Sequence, residues 1–570
     1  MVGDGVGRFR HIFFHYICSQ TSSIMKKILL IFISIVLCTG IRAHSDDIYE
    51  GSRARWARIA EKTTPVLNEE LRRPVAIVKA VNDSNAFQGW RFENTGEPVS
   101  AAYEHDMVPL GNITVDFGEH LTGYFSFRVK TLKGDLDAPL RLKFFFAELP
   151  AEMNTPLEPW TGTLSRAWMQ DEVITVTEPD QLMTIPRRLS FRYLRIEVLG
   201  VSPNYSFCID RMEMKAVSSA GKMMTSLQND CPEKIAKINE VGIRTLRECM
   251  QTVFEDGPKR DHRLWTGDLY LQALANRYSF KNFELVRHCL YLLASLSGPS
   301  GLVPSNVFET PVPHAQQNSY CLNYCMLYTS ILLDYLKDTG DYKTARELWP
   351  VARRQVEVVS TGISDDGIFR HDWQKGWLFF DWRNGLDLHL PMQGAMIHGL
   401  DQACELAAML GKEAETEGWK ELADKMRKVV YERYYDADSG VASANGQTSV
   451  VGQVWMIRSG VLSAEEGAKA LRNVLKDKSA VRPGTPYATH YLIDAMIRCG
   501  MTSEARQYLE DYWGGMIKKG ADTFWEAYDP DDQFISPYDC FPLNSACHAW
   551  SCTPVYFIHK YPEIFQTPAG

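Results

Sequence analysis

Two short stretches of this sequence carry the residue types that acid–base chemistry needs. Asp256 to Asp268 reads D-G-P-K-R-D-H-R-L-W-T-G-D and gathers Asp256, Asp261 and Asp268 around Arg260, Arg263, His262 and Trp265. Gly520 to Asp529 reads G-A-D-T-F-W-E-A-Y-D and sets Glu526 between Trp525 and Tyr528. A carboxyl among aromatic side chains loses hydration, which raises its pKa and equips it to hold a proton. Two carboxyl groups flanking a glycosidic bond can hydrolyse it: one protonates the leaving oxygen, the other activates water or attacks the sugar. A neighbouring aromatic ring can stack on the apolar face of that sugar. Taken singly, each stretch also fits a solvated, salt-bridged loop. Their chemistry depends on a fold that brings them together.

The elements around them predict such a fold. From Asn112 the sequence alternates with a period of two, in runs at Ile113–Gly118, Tyr124–Lys130, Leu140–Ala147, Glu172–Thr177, Phe191–Leu199 and Phe207–Val217. Gly, Pro and Asp clusters separate these runs, which predicts an antiparallel β-sandwich over residues 44–220, with Ser218–Gly221 as a linker. From Asp230 the apolar spacing becomes helical. It predicts twelve helices near 231–254, 267–278, 282–296, 320–337, 341–360, 393–410, 414–434, 449–459, 463–476, 488–500, 502–517 and 545–560. Several end at a glycine and restart at a capping residue, the mark of tight helical hairpins. Twelve helices in hairpins predict an (α/α)6 toroid over residues 221–570; an open helical solenoid is the alternative, disfavoured because no repeat of fixed length is visible. The first stretch then lies on a loop of the first hairpin and the second near the end of the ring, so closure makes them neighbours.

The two stretches resemble motifs of the glycoside hydrolase family 78 α-L-rhamnosidases. Asp256, Pro258, Arg260, Trp265, Thr266, Gly267 and Asp268 match that family's D-C-P-Q-R-E-R-L-G-W-T-G-D. Gly520, Ala521, Thr523, Trp525 and Glu526 match its G-A-T-T-x-W-E, and Val115–Gly118 looks like its V-D-F-G strand. The resemblance implies an inverting hydrolase that releases terminal α-L-rhamnose from plant glycans or glycosides. It implies Asp261 as general acid and Glu526 as general base, with carboxyls roughly 6.5–9.5 Å apart. It further implies Asp256, Arg260, Trp265, Asp268, Asp381, Trp382, Trp525 and His548 as substrate-binding residues. Asp261 stands where the family usually has Glu, one methylene longer, so Asp256 and His262 remain alternative proton donors. Gln393 and Asn306 read more readily as structural residues than as sugar ligands. Two other functions stay open: a non-catalytic carbohydrate-binding protein on the same scaffold, and a glycosidase or lyase acting on an uronic acid.

Composition narrows the rest. A net charge of −9 without a basic block argues against a nucleic-acid partner. Met25-Lys26-Lys27 followed by the apolar run Ile28–Leu37 predicts a signal peptide within residues 1–43, starting at Met25 and ending near Ala43. The mature chain is therefore expected to be exported, periplasmic or at the cell surface, without a stable membrane span; lipidation at Cys38 is the alternative. Its substrate partner is expected to be a rhamnose-containing oligosaccharide or glycoside; its oligomeric state is open. The cysteine spacings predict few or no disulfides, and no metal or cofactor is expected.

Overall fold

The computed structural model describes residues 48, 49 and 51–567. The predicted leader and Cys38 lie outside the described residues. Ser52–Thr63, expected to belong to the sandwich, is instead a helix packed on the toroid helix Phe283–Ser295. It buries Trp56 and Ala60, and the Ala60 carbonyl accepts from His288 Nδ1 at 2.9 Å.

Nine antiparallel strands follow: β1 (Asn68–Arg72), β2 (Ala76–Asn82), β3 (Trp90–Asn94), β4 (Asn112–Lys133), β5 (Leu140–Ala147), β6 (Asp171–Val176), β7 (Leu182–Thr184), β8 (Leu189–Gly200) and β9 (Ser206–Ser218). The two runs expected around 113–118 and 124–130 are one strand, β4. Its first half lies between β2 and β8, and its second half between β7 and β9. The strand thus passes from one layer, β3-β2-β4-β8-β5-β6, into the other, β1-β9-β4-β7. The register slips between Asp116 and Leu121, where Gly118 takes a φ of +85° that a side chain would resist. At Gly123 a Cβ would come within 2.0 Å of the Lys215 carbonyl, so only glycine lets β9 approach there. Alternation aims Val115, Phe117, Phe125, Phe127, Phe144, Phe146, Phe191 and Ile209 into the core between the layers.

The helical domain is a closed ring. Inner helices Thr266–Arg277, Leu322–Thr339, His389–Leu410, Val450–Arg458 and Pro486–Arg498 pack in succession, and Pro554–Lys560 closes the circle against the first of them. Glu233–Cys249, Phe283–Ser295, Tyr342–Ser360, Trp419–Tyr434, Ala464–Lys476 and Thr502–Lys518 form the outer ring. Hairpins are tight because a left-handed glycine is followed at once by a cap. Gly340 has a φ of +67°, and Asp341 then accepts from the Thr344 N–H at 3.0 Å.

The helix expected over 545–560 is shortened to Pro554–Lys560. Residues 545–549 spend backbone groups elsewhere, and 549–551 form only a 3-10 turn. The Glu526 N–H donates to Ser545 O at 2.9 Å, the His548 N–H to Phe524 O at 2.9 Å, and the Ala549 N–H to Asp256 O at 2.7 Å. This segment is the seam that stitches the two acidic stretches together. Among the described residues no helix is long and apolar enough to cross a membrane, eleven cysteines are free, and no group of three or more His, Cys, Asp or Glu is placed to hold a metal ion.

Candidate active site

A narrow cavity, with about 400 Å³ of empty space that includes its open mouth, lies at the end of the ring where the inner helices begin. Asp268 and Tyr324, from the first turns of two inner helices, face it, so the positive ends of those helix dipoles point at its carboxylates. Both acidic stretches line it, through Asp256, Arg260, Asp261 and Asp268 on one side and Glu526 on the other.

Asp256 folds the first stretch on itself. Its N–H donates to Arg263 O at 3.0 Å, and its carboxylate accepts from the Asp261 N–H at 3.2 Å and the Arg263 N–H at 3.1 Å. Residues Arg263–Trp265 then pair as a strand with Asn306–Phe308, which sets Trp265 at the cavity wall; Asn306 is part of that brace, its side chain bonded to Gln316 at 2.7 Å. Gln393 is likewise structural, bonding both backbone groups of Phe369 at 2.9 and 2.8 Å.

Arg260 couples the two stretches. Its Nη1 donates to Asp261 Oδ1 at 3.0 Å, its Nη2 to Glu526 Oε2 at 2.6 Å, and its Nε to Leu543 O at 3.0 Å. The guanidinium lies 4.2 Å from the centre of the Tyr538 ring, whose hydroxyl donates to Glu526 Oε1. The Ser545 N–H adds a third bond to Glu526, at 3.0 Å. Burial alone would raise the Glu526 pKa; Arg260, His548, the Ser545 N–H and the Tyr538 hydroxyl outweigh it and hold the carboxyl below its ordinary value. Glu526 is therefore ionised. Arg263 backs Asp261 from the other side at 3.3 Å while lying over the Phe308 ring.

The remaining acids are arranged differently. Burial pushes the Asp256 carboxyl up to about 8, helped by the neighbouring Asp261 and Asp268 and opposed by His548. Burial also raises Asp268. Burial would lower His548, but Asp268, Glu526 and Asp256 reverse this and raise it. His548 Nε2 stands 3.2 Å from Asp268 Oδ1, off the hydrogen-bond direction. Among the described residues, that oxygen and both His548 nitrogens have no hydrogen-bond partner. Buried polar atoms left unpaired at a cavity wall are groups a hydroxylated ligand can satisfy.

A raised acid carries a pH signature. Folded Asp256 binds a proton up to about pH 8, whereas the unfolded chain releases it near 4. Its stabilising proton is present below the unfolded pKa and is lost as pH rises through the folded one. Asp256→Asn mimics the neutral acid at every pH. The melting temperature of Asp256→Asn relative to wild type therefore rises from pH 5 to pH 8; a flat difference would show that Asp256 is ionised throughout.

Not every expected residue reaches the cavity. Trp382 lines it. Asp381 does not: its Oδ2 accepts from the Gly484 N–H at 2.7 Å and its Oδ1 from the Thr485 hydroxyl at 2.6 Å, so it ties two loops together. Asp381→Asn, which cannot accept at both, is expected to cost about 1–3 kcal/mol in thermal denaturation while KM stays within about threefold. Trp525 also lies off the cavity, packed 4.4 Å from the Phe87 ring of the sandwich domain. Trp525 packs into the sandwich side while Glu526, the next residue, lines the cavity. His262 is withdrawn too. It sits against Trp168, and burial with Arg188 nearby pushes it down to about 3, so it holds no proton to donate near neutrality. The walls that sequence reasoning missed are Tyr324, Trp377, Phe379, Tyr538 and Trp550. Tyr324 is one more aromatic on an apolar helix, and Tyr538 comes from a loop without periodicity, so neither had a signal.

A closed ring of six helical hairpins, with paired carboxyls at an aromatic-walled cavity, has the architecture of a six-hairpin glycosidase. Residues 226–561 match the bacterial alpha-L-rhamnosidase 6 hairpin glycosidase domain, and residues 74–216 match the glycosyl hydrolase family 78 alpha-rhamnosidase N-terminal domain. The chain belongs to glycoside hydrolase family 78 and is an α-L-rhamnosidase-type hydrolase. It is similar to a rhamnosidase from Klebsiella oxytoca with rhamnose bound, at 36% identity and a TM-score of 0.85, over 89% of this chain and 99% of that one. A Streptomyces avermitilis α-L-rhamnosidase complexed with L-rhamnose shares the fold at 17% identity and a TM-score of 0.62, over 87% of this chain and 44% of that one. Comparison with curated proteins gives no match.

Proposed function

We propose that this enzyme releases terminal α-L-rhamnose from plant glycans or glycosides with inversion, after export from the cell. Glu526 is the base that activates water, and Asp261 is the acid that protonates the leaving oxygen. The observation that carries this reading is the Arg260 bridge. It holds one carboxyl at each end of a single guanidinium at the cavity wall. The planar fork keeps Asp261 Oδ1 and Glu526 Oε2 no more than about 8 Å apart, so both carboxyls face one bound sugar; the stereochemical test below decides between a water and a direct attack between them. Asp268 and His548 supply unpaired polar atoms for sugar hydroxyls, and Trp265, Trp377 and Trp382 supply stacking faces. An uronic acid fits poorly: Asp256, Asp261, Asp268 and Glu526 crowd the cavity with acids, and Arg260 is already tied to two of them. The export step rests on the leader alone.

Asp256 supports one variant of the mechanism. Its raised pKa makes it a second candidate for the donated proton. The stereochemical test is proton NMR of a fresh digest of an aryl α-L-rhamnoside. β-L-rhamnose as the first product supports inversion; the α-anomer first would sink it.

A further inference from the structure

The β-sandwich sends buried ionic side chains to the back of the catalytic loops. Glu148, just after β5, is 1% exposed. Its Oε2 accepts from the Ala546 N–H at 2.6 Å and stands 3.1 Å from Lys259 Nζ. Its Oε1 takes His120 Nε2 at 3.0 Å and the Ser190 hydroxyl at 3.4 Å. Glu152 adds a second carboxylate to Lys259 at 3.2 Å and accepts from the Glu148 N–H at 2.9 Å. Lys259 further donates to Pro542 O at 3.1 Å. None of these side chains lines the cavity.

Their neighbours in the chain do. Lys259 precedes Arg260, which holds Asp261 and Glu526. Ala546 follows Ser545, whose N–H bonds Glu526 and whose hydroxyl bonds the Arg260 carbonyl at 3.0 Å. Glu148 is thus one contact away from each of the two loops that carry the reacting carboxyls. Burying an ammonium and a carboxylate costs desolvation that their attraction need not recover, so such a pair is weak evidence for stability and is better explained by the arrangement it enforces.

We propose that Glu148 is a positioning residue for hydrolysis: it sets the spacing of the Asp256–Asp268 loop against the Glu526–Ala546 segment, making the sandwich part of the catalytic apparatus. The proposal rests on the reading of Asp261 and Glu526 as the reacting pair. A misplacement of about 1 Å between reacting groups costs on the order of 100-fold in rate, whereas Trp265 and Asp268, at the far end of that loop, are also held by the pairing of Arg263–Trp265 with Asn306–Phe308 and by the helix Thr266–Arg277.

The test uses the full chain with Glu148→Gln, Lys259→Met and, as a control, Asp210→Asn, which breaks the sandwich ion pair Arg128–Asp210. Turnover of p-nitrophenyl α-L-rhamnoside is measured beside calorimetric binding of L-rhamnose. Glu148→Gln is expected to lower kcat by about 30- to 100-fold while KM and rhamnose affinity stay within about threefold. Lys259→Met, which cuts the other end of the same tie, is expected to give the same split, and it stands in if Glu148→Gln does not fold. Asp210→Asn is expected to behave as wild type. The proposal is overturned if Glu148→Gln keeps wild-type kcat, or if kcat and rhamnose binding fall together with the folded fraction. A wild-type chain that turns over no rhamnoside would sink the Asp261–Glu526 assignment as well.

Discussion

Glu526→Gln is expected to lower kcat by about 10³-fold on every α-L-rhamnoside, whatever its leaving group, with KM changed only a few-fold. Gln keeps the length of the side chain and an oxygen for Arg260 Nη2 or the Ser545 N–H, so the cavity stays assembled. It cannot take a proton from water. Because the lost step belongs to the attacking side, the identity of the departing group does not matter. The state of wild-type Glu526 sharpens this expectation. Arg260, the Ser545 N–H and the Tyr538 hydroxyl all favour its ionised form, so it is in the correct protonation state across the neutral range. Steady-state kinetics on an alkyl and a nitrophenyl rhamnoside check the claim. More than a tenth of wild-type kcat on either substrate would remove Glu526 from the mechanism.

Asp261→Asn is expected to behave differently on the two substrates. An alkoxide leaves only with a proton, so kcat on an alkyl rhamnoside falls by about 10²- to 10⁴-fold, the usual range for a missing general acid. Nitrophenolate leaves without one, and the loss there stays below about tenfold by the same argument. Asn keeps an acceptor for Arg260 Nη1, so the bridge to Glu526 persists. The same pair of substrates decides between the two acids of the loop. If Asp256→Asn shows the leaving-group dependence and Asp261→Asn does not, the proton resides on Asp256 and Asp261 serves only to hold Arg260.

Much of the site was legible because its residues are adjacent in sequence. Asp256 to Asp268 turns back on itself through the Asp256 carboxylate, so its motif and its shape coincide. The members that stayed hidden came from elsewhere. Tyr538 reaches Glu526 from a loop held by the sandwich, with its N–H on the Ser536 hydroxyl and its carbonyl accepting from the Thr163 N–H. Asp381 and Trp525 present the opposite case, lying off the cavity. Each has the right type in the right neighbourhood, yet which face of a chain looks into a cavity depends on packing against distant residues, here Gly484 for one and Phe87 for the other.

Local chemistry determined the alternating strands after Asn112, the glycine-punctuated helices and the two carboxyl-bearing stretches, since periodicity and capping act over a few residues. Only the tertiary structure decided that the α-helix does not begin until Pro554, because the backbone of residues 545–549 is claimed by Phe524, Asp256 and Glu526 from the two ends of the ring. It alone decided that Asp261 and Glu526 share one arginine, and that a glutamate of the sandwich stands behind both loops. Burial and charge pairing between residues more than a hundred positions apart leave no local trace, and they set the protonation states on which this enzyme's chemistry depends.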